Sequence, residues 1–352
     1  MITITSKELE NKYLYMYADC FAVKGYTRTL ITDVSRKQMY FVDNSYYALL
    51  QALREHTIGE VIAMLESKDD LAEFEQFAEY LITNELGTIV HDRSLFPDMP
   101  VEWDYPAVIT NAIIDLRDEW HDFEMLFNEL ETLFCNFIQI RCYRALSLDE
   151  IMDILAYTEK KTFRCIQLMM AYTAGISEDE LRAVISRYPL VSLTIHGAPF
   201  DRQLKNEVSD GLPDLQLGTI LYLRQKIGSC QSCGVINVKS FHIPSLSTFM
   251  ENTLYNGCLN RKISVDEQGE IRNCPSMTRS YGNIRTASLR AVAMQDDFRK
   301  VWDINKNLIE GCRDCEYRGI CTDCRAYTVK DGDLYAKPAK CGYDPYTGNW
   351  LR

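Results

Sequence analysis

The pattern of apolar and polar residues predicts a mixed domain over residues 10–100. Aromatic and β-branched runs alternate with turn residues, and apolar residues at helical spacing follow them. The predicted strands are 14–23, 26–34, 39–42 and 88–91, and the predicted helices are 46–54, 58–65 and 71–82. Strands, three helices and a returning strand predict a winged-helix-like domain, with the proline-bounded stretch 96–100 as its exit linker.

Residues 105–229 show a repeat of strand-like and helical patterns. The apolar runs centre on Ile113, Ile138, Ile166, Leu193 and Ile220, and the helical patterns between them are 123–134, 148–157 and 178–188. A strand and a helix that alternate in this way predict βα units around a parallel sheet. About four units make a partial βα barrel or an open sheet, because a complete barrel needs about eight. The predicted fold class is therefore α/β.

Residues 230–352 form a third, cysteine-rich segment. Short strand signals occur at 261–266 and 270–272, and one helix is predicted at 288–303. Beyond Gly311, turn residues and cysteines dominate. Because such a segment buries too little apolar surface to fold alone, we expect bound metal to supply part of its folding energy.

Composition and charge narrow the class of protein. With 47% hydrophobic and 25% charged residues, the chain of 352 residues is typical of a globular protein. Its net charge of −12 argues against nucleic-acid binding, because phosphate neutralisation needs a basic surface. The first residues lack a signal-peptide pattern, and no apolar run is long enough to predict a membrane span. We therefore expect a cytoplasmic protein whose 13 cysteines bind metal or carry out redox chemistry instead of forming disulfides.

Seven cysteines form the most specific motif in the chain. They are Cys258, Cys274, Cys312, Cys315, Cys321, Cys324 and Cys341. The last five follow the spacing C-x2-C-x5-C-x2-C-x16-C, and the central gap is short for the two hairpins of a zinc ribbon. That gap suits interleaved ligation, in which neighbouring thiolates bind different iron–sulfur clusters. Iron–sulfur clusters, structural zinc and redox thiols are the alternatives at this point.

Basic residues surround these cysteines. They are Arg261, Lys262, Arg272, Arg279, Arg285, Arg313, Arg318 and Arg325. Positive charge near cluster-bound thiolates is electrostatically favourable, but a solvated surface explains the same residues equally well.

The residues between the cysteines resemble a known domain. The stretches 263–275, 281–284 and 312–321 are similar to the SPASM domain, the C-terminal extension of many radical SAM peptide-modifying enzymes, which holds auxiliary [4Fe–4S] clusters. The resemblance covers about residues 255–345. It implies one cluster on Cys312, Cys315, Cys321 and Cys341, and another on Cys258, Cys274 and Cys324.

The chain departs from the SPASM pattern at two places. Its second knuckle is C-x2-C where many members have C-x3-C, and the region of Asn252 and Thr253 lacks a cysteine that many members carry. The second of the implied clusters therefore needs a fourth ligand from elsewhere, and Cys233 or Cys230 is the candidate. An open coordination site, or a redox or buried role for the Cys230–Cys233 pair, is the alternative.

The catalytic motif of a radical SAM enzyme is missing. Such enzymes need C-x3-C-x2-C near the first barrel strand, but residues 108–117 contain no cysteine and the spacing occurs nowhere else. We interpret Cys135, Cys142 and Cys165 as buried strand residues, and Asn111 and Asp115 as polar residues that line the core. The prediction is that S-adenosylmethionine is not a cofactor.

The whole chain resembles a narrower family, the SPASM-domain peptide maturases of grasp-with-spasm systems. The stretches that carry this resemblance are 23–36, 109–115, 258–264, 323–327 and 340–346. It implies that the chain acts on a ribosomally made precursor peptide together with an ATP-grasp ligase. Residues 10–100 also resemble leader-peptide recognition elements, to which a leader adds as an extra strand beside a helix. A structural cap that binds no peptide is the alternative for this segment.

Three functions follow from these residues. The first is an accessory maturation protein that binds the leader and assists the ligase. The second is a redox enzyme that uses auxiliary 4Fe-4S clusters for electron transfer in peptide modification. The third is a structural zinc-binding adaptor. Whether the chain is itself an enzyme stays open, and no membrane partner is expected.

Overall fold

The first segment combines a small antiparallel sheet with three helices. The computed structural model describes residues 4–205 and 217–351. The strands here are β1 (Tyr13–Met16), β2 (Cys20–Lys24), β3 (Thr29–Asp33), β4 (Gln38–Val42) and β5 (Gly87–Val90), and the helices are α1 (Ser45–Glu55), α2 (Ile58–Ala63) and α3 (Lys68–Thr83). β2, β3 and β4 form one sheet, and β1 pairs with β5 in another.

One predicted strand of this segment is wrong in extent. Residues 14–23 form two strands, β1 and β2, which belong to different sheets. A turn closed by the Cys20 N–H, which donates to the Tyr17 carbonyl at 2.9 Å, separates them. The helices begin where the sequence provides caps, because Thr57 and Ser67 each form a capping box with a carboxylate three residues later.

The middle segment forms a large, mostly parallel sheet, as predicted. Its strands are β6 (Asn111–Leu116), β7 (Phe137–Cys142), β8 (Cys165–Ala171), β9 (Val191–His196), β10 (Arg202–Lys205) and β11 (Thr219–Leu223), and its helices are α4 (Phe123–Thr132), α5 (Leu148–Ala156) and α6 (Glu178–Arg187). Residues 206–216 of the predicted segment lie outside the described residues. The α/β fold class with a parallel sheet is thereby confirmed.

The two faces of this sheet differ in chemistry. Alternate residues such as Ile114, Ile140 and Leu168 are buried in the main apolar core. The opposite face is polar, and the side chains of Gln139 and Gln167 form a hydrogen bond across neighbouring strands. A sheet with one apolar and one polar face has room for polar chemistry on the second face.

The cysteine-rich segment extends the same sheet, which the sequence did not predict. Its elements are α7 (Leu246–Leu254), β12 (Lys262–Val265), β13 (Ile271–Arg272), α8 (Leu289–Ala293), α9 (Asp296–Arg299), β14 (Tyr343–Asp344) and β15 (Asn349–Trp350). β12 pairs in parallel with β6 and antiparallel with β13. The sheet order is β10-β11-β9-β8-β7-β6-β12-β13. The hairpin therefore places the neighbouring cysteines beside β6.

The shared sheet changes the expected source of order in this segment. Ile263, Val265, Phe298 and Ile309 are buried in the main core with the residues of β6 and β7. Apolar burial against the middle segment thus supports the cysteine-rich segment in addition to any bound metal. The predicted helix 288–303 is broken into α8, α9 and a final 3-10 turn.

The first segment packs on the cysteine-rich segment. Leu30 and Val34 share a buried cluster with Phe249, Tyr317 and Tyr343. The structure thus joins the predicted peptide-recognition segment to residues between the cysteines. Among the described residues, no helix has both the length and the apolar character that a membrane crossing requires.

Candidate metal centre

Four cysteines whose charges act on one another form a group that we name the distal thiol group. They are Cys312, Cys315, Cys321 and Cys341. The charges of Cys321 and Cys341 act on Cys312, and those of Cys321 and Cys312 act on Cys315. Burial raises the pKa of the Cys321 thiol to about 11, and it also raises the pKa values of Cys312 and Cys315. Cys312, Cys315 and Cys321 are therefore protonated at neutral pH in the metal-free protein, and metal binding must displace their protons.

A second group, which we name the proximal thiol group, lies beside the β12–β13 hairpin. Its members are Cys258, Cys274 and Cys324. Burial, followed by the charge of Cys258, raises the pKa of Cys274 to about 12. The charge of Cys258 also acts on Cys324, whose pKa burial raises. The thiols thus influence one another within two groups, with Cys321 in the first and Cys324 in the second. The two ligand sets that the resemblance implies stay a prediction.

The Cys230–Cys233 turn lies against the proximal thiol group. A Cβ added to Gly234 would lie 2.9 Å from the Cys324 sulfur, so this backbone rests directly on that thiol. The charge of Cys233 acts on Cys274 and Cys324. The Cys230 thiol instead donates to the Pro275 carbonyl at 3.8 Å. Cys233, which is exposed, thus influences two of the proximal thiols electrostatically.

Asn252 is a buried polar residue near the proximal thiol group. It is 2% exposed, its Nδ2 donates to the Gly319 carbonyl at 3.3 Å, and its Oδ1 has no hydrogen-bond partner among the described residues. The Oδ1 lies against Gly257, next to Cys258 in sequence. A buried acceptor that receives no hydrogen bond lowers the stability of the fold. Asn252 therefore does not replace a thiol as an apolar core residue would.

No close single-ion site occurs in the described part of the chain. There, no three or more His, Cys, Asp or Glu side chains form a group that could hold one metal ion. A zinc ion with tetrahedral thiolates would need sulfurs about 3.8 Å apart. A multi-iron cluster holds its thiolates farther apart than this, since each binds a different iron.

Two buried basic side chains near the thiols each have a nitrogen without an acceptor, although Arg325 is also ion-paired with Asp323. Lys306 Nζ and Arg325 Nε are buried and have no hydrogen-bond partner among the residues that the structure describes. Lys262 Nζ donates to the Cys258 sulfur at 3.4 Å. Unpaired buried donors are rare and indicate an anion that the protein itself does not provide. Thiols in two sets with cationic donors beside them fit anionic clusters.

A turn of the first segment holds the loop that carries the distal thiols. Arg28 Nε donates to Glu316 Oε1 at 2.7 Å, and Glu316 is completely buried next to Cys315. The Tyr26 N–H donates to the Asp314 carbonyl at 2.7 Å. A Cβ at Gly25 would lie 2.9 Å from the Glu316 nitrogen, so only glycine allows this approach. The first segment thus contributes directly to the shape of the distal site.

A buried ion pair lies where a radical SAM barrel would begin. Asp115 is 1% exposed and accepts hydrogen bonds from Arg141 Nε at 2.6 Å and from the Tyr143 hydroxyl at 2.8 Å. Although burial opposes the charge of Arg141, its hydrogen bonds to Asp115 raise the pKa of the guanidinium above its ordinary value. Cys135 and Cys142 are buried in the apolar core, as predicted. Cys165 is partly exposed, so its predicted burial is only partial.

A groove of about 360 Å³ lies between the edge strand β4 and helix α3. Its lining residues are Phe41, Val42, Asp43, Tyr46, Gln76, Phe77 and Tyr80. β4 pairs with β3 on one side only within the described residues, so its other edge offers unpaired backbone groups. A strand-shaped ligand on this edge would place alternate side chains against α3.

Several residues of the site were not predicted from the sequence. Lys306 and Glu316 had no signal, because a lysine and a glutamate in turns normally indicate a solvated surface. Lys262 and Arg325 were among the basic residues for which two interpretations stayed open, and both lie beside the thiols. Arg313 and Arg279, by contrast, have side chains that are 61% exposed, as a solvated surface predicts.

Comparisons with known proteins leave the family of this chain unassigned. No protein-family model matches it, and no curated protein matches it. A crystal structure of Streptococcus suis SuiB bound to S-adenosylmethionine is 10% identical, with a TM-score of 0.32 over 94% of this chain and 99% of that chain. Another SuiB structure is 12% identical, with a TM-score of 0.31 over 93% and 99%. A structure of SuiB bound to precursor peptide SuiA is 10% identical, with a TM-score of 0.28 over 94% and 100%. At these TM-scores the function of the chain must be argued from its own residues.

Proposed function

We propose that this chain is an iron–sulfur SPASM-domain protein that takes part in the maturation of a ribosomally made peptide. In this proposal it binds the leader of the precursor and works with an ATP-grasp ligase in the cytoplasm. A winged-helix-like domain at 10–100 recognises the peptide, a degenerate partial barrel at 105–229 carries no radical SAM cluster, and residues 230–352 hold the metal.

The observation that supports this proposal is that the thiols influence one another's pKa values in two groups. The distal thiol group supplies four ligands, and the proximal thiol group supplies three with Cys233 as the fourth. Bound [4Fe–4S] clusters would supply one-electron transfer at these positions. The protein's own residues bury or partly bury the seven thiols, leave Cys233 exposed, provide cationic donors and hold the distal loop through Arg28 and Glu316.

The groove between β4 and α3 supports the leader-binding part of the proposal. Phe41 and Tyr80 provide aromatic contact area, and the free edge of β4 provides backbone hydrogen-bonding groups. Phe41 also lies 3.9 Å from the Arg28 guanidinium, measured to its ring centroid. A bound leader would thus lie one side chain away from the ion pair that holds the distal loop.

The position of the proximal thiols favours electron transfer during peptide modification as a second candidate function. The charge of Cys233 acts on Arg141, and that of Cys230 acts on Tyr143. These residues lie at the carboxyl ends of parallel strands, where α/β sheets usually carry their sites. A cluster on the proximal group would therefore adjoin the polar end of the sheet.

Metal analysis of the anaerobically purified full chain tests the proposal. We expect about eight irons and about eight sulfides per chain, with a broad absorption near the visible range that reduction bleaches. Stoichiometric zinc without iron or sulfide would contradict it and would establish the structural zinc adaptor. Cleavage of S-adenosylmethionine under reducing conditions would contradict the absence of a radical SAM centre.

A single substitution in the groove tests leader binding. We expect Tyr80→Glu to weaken binding of a labelled synthetic peptide that carries the leader sequence of a candidate precursor by more than about tenfold. The introduced carboxylate would be desolvated when the peptide covers it. Tyr157→Glu, at a tyrosine that is 42% exposed on another surface, is the matched control. Equal affinities for the two variants would exclude this groove as the leader site.

A further inference from the structure

Lys306 is a buried lysine without a partner. It lies in a 3-10 turn, Lys306–Leu308, and is 3% exposed. Its Nζ has no hydrogen-bond partner among the residues that the structure describes, and no carboxylate there forms an ion pair with it. An ammonium group removed from water without a counter-charge is destabilising. The burial of Lys306 therefore needs a compensating anion that no ion pair supplies within the described residues.

Two carboxylates near Lys306 accept hydrogen bonds from other residues. Asp323 accepts from Arg325 Nη2 at 2.5 Å and from the Cys324 N–H at 2.6 Å through Oδ1, and from Asn256 Nδ2 at 2.9 Å through Oδ2. Glu251 Oε1 accepts from Asn260 Nδ2 at 2.9 Å. Neither carboxylate is paired with Lys306.

The charge of Lys306 acts both on the Glu251 carboxyl and on the distal thiol group. Among the charges near Cys321, that of Lys306 is the strongest, and it opposes the rise in pKa that burial causes. Arg325 is 2% exposed, has a free Nε, and its charge acts on Cys312. Lys306 and Arg325 are both buried and each has an unsatisfied N–H. Their charges thus act on thiols of the same group.

We propose that Lys306, with Arg325 in support, is the charge-compensating residue that sets the reduction potential of the cluster held by the distal thiol group. This inference rests on the proposed function, because it requires a cluster there. A cluster of four thiolates is anionic and gains one more negative charge when it accepts an electron. A fixed cation nearby therefore stabilises the reduced form more than the oxidised form and raises the potential.

Lys306 acts as a positioning residue in this inference, since it neither donates a ligand nor reacts. In the test reaction one electron passes from dithionite to the cluster, and no bond to Lys306 forms or breaks. Lys306→Met removes the charge and keeps most of the side-chain volume. Lys306→Arg keeps the charge. Lys330→Met is the matched control, because the Lys330 side chain is 59% exposed and pairs with Glu310 at 2.7 Å.

The experiment is a redox titration of the anaerobic full chain followed by electron paramagnetic resonance, after iron has been counted in each variant. We expect Lys306→Met to lower the midpoint potential of one cluster by at least about 59 mV, a tenfold loss of reduced form at a fixed potential. Lys306→Arg and Lys330→Met should stay within about a quarter of that shift.

The outcomes separate this inference from the proposed function. Wild-type protein without iron would refute the proposed function, whereas iron in all variants with unchanged potentials would refute only the role of Lys306. If Lys306→Met loses distal iron while Lys306→Arg keeps it, the charge is required and the inference stands. Loss of iron in both variants, with the control intact, would show that shape and not charge matters, and would overturn it.

Discussion

Cys321→Ser is expected to remove one cluster and to leave the other in place. Iron per chain should fall by about half, because the distal thiol group loses one of its four ligands while the proximal group keeps all of its own. Ser is a weaker and harder ligand than a thiolate, and burial disfavours its ionised form further. Iron and sulfide analysis with visible absorption measures the result.

The complementary variant is Cys274→Ser, which should remove the proximal cluster by the same reasoning. Cys165→Ser is the matched control, since Cys165 is a partly exposed cysteine on β8 outside both groups. If Cys321→Ser and Cys324→Ser remove the same cluster, the assignment of these two neighbours to different groups is wrong. Iron contents equal to wild type in all variants would rule out both groups as cluster ligands.

Arg28→Met is expected to lower the free energy of unfolding by about 3 kcal/mol, because it leaves the Glu316 carboxylate buried without its cation. The Arg28 side chain is 33% exposed, whereas that of Glu316 is completely buried. Glu316 would keep only the hydrogen bond from the Tyr343 hydroxyl at 2.5 Å. Urea unfolding of the metal-free full chain, monitored by circular dichroism, measures the loss.

Two further variants show whether the loss of stability comes from the unpaired Glu316 carboxylate. Arg182→Met breaks a surface pair with Glu178, in which the side chains are 42% and 36% exposed, and should cost less than about 1 kcal/mol. The double variant Arg28→Met with Glu316→Gln should regain most of the loss, because glutamine carries no charge. A loss in Arg28→Met no larger than in Arg182→Met would mean that the first segment does not depend on this ion pair.

The docking of the first segment also decides how leader binding must be studied. Because Arg28 and Gly25 contact the loop between Cys312 and Cys321, removal of residues 10–100 would expose Glu316 and disturb the distal thiols. A deletion would therefore change peptide binding and metal binding together. Point substitutions in the groove, such as Tyr80→Glu, separate the two.

Local patterns in the sequence determined most elements of the fold. The period-two and helical repeats of 105–229 predicted five strands of the parallel sheet and three helices, since burial of alternate faces leaves a regular mark on the chain. Cysteine spacing and the flanking residues were enough to propose two ligand sets. These features depend on residues that are near in sequence, so they can be predicted from the sequence alone.

Only the tertiary structure decided which distant residues share a site. The parallel pairing of β12 with β6 and the contact of Arg28 with Glu316 join residues from different segments, and the approach of Gly234 to Cys324 joins residues that are far apart in sequence. The same holds for Lys306, which reads as a surface lysine in a turn and becomes a buried, unpaired cation beside Cys321. Burial and charge compensation arise from packing between segments, and no local pattern records them.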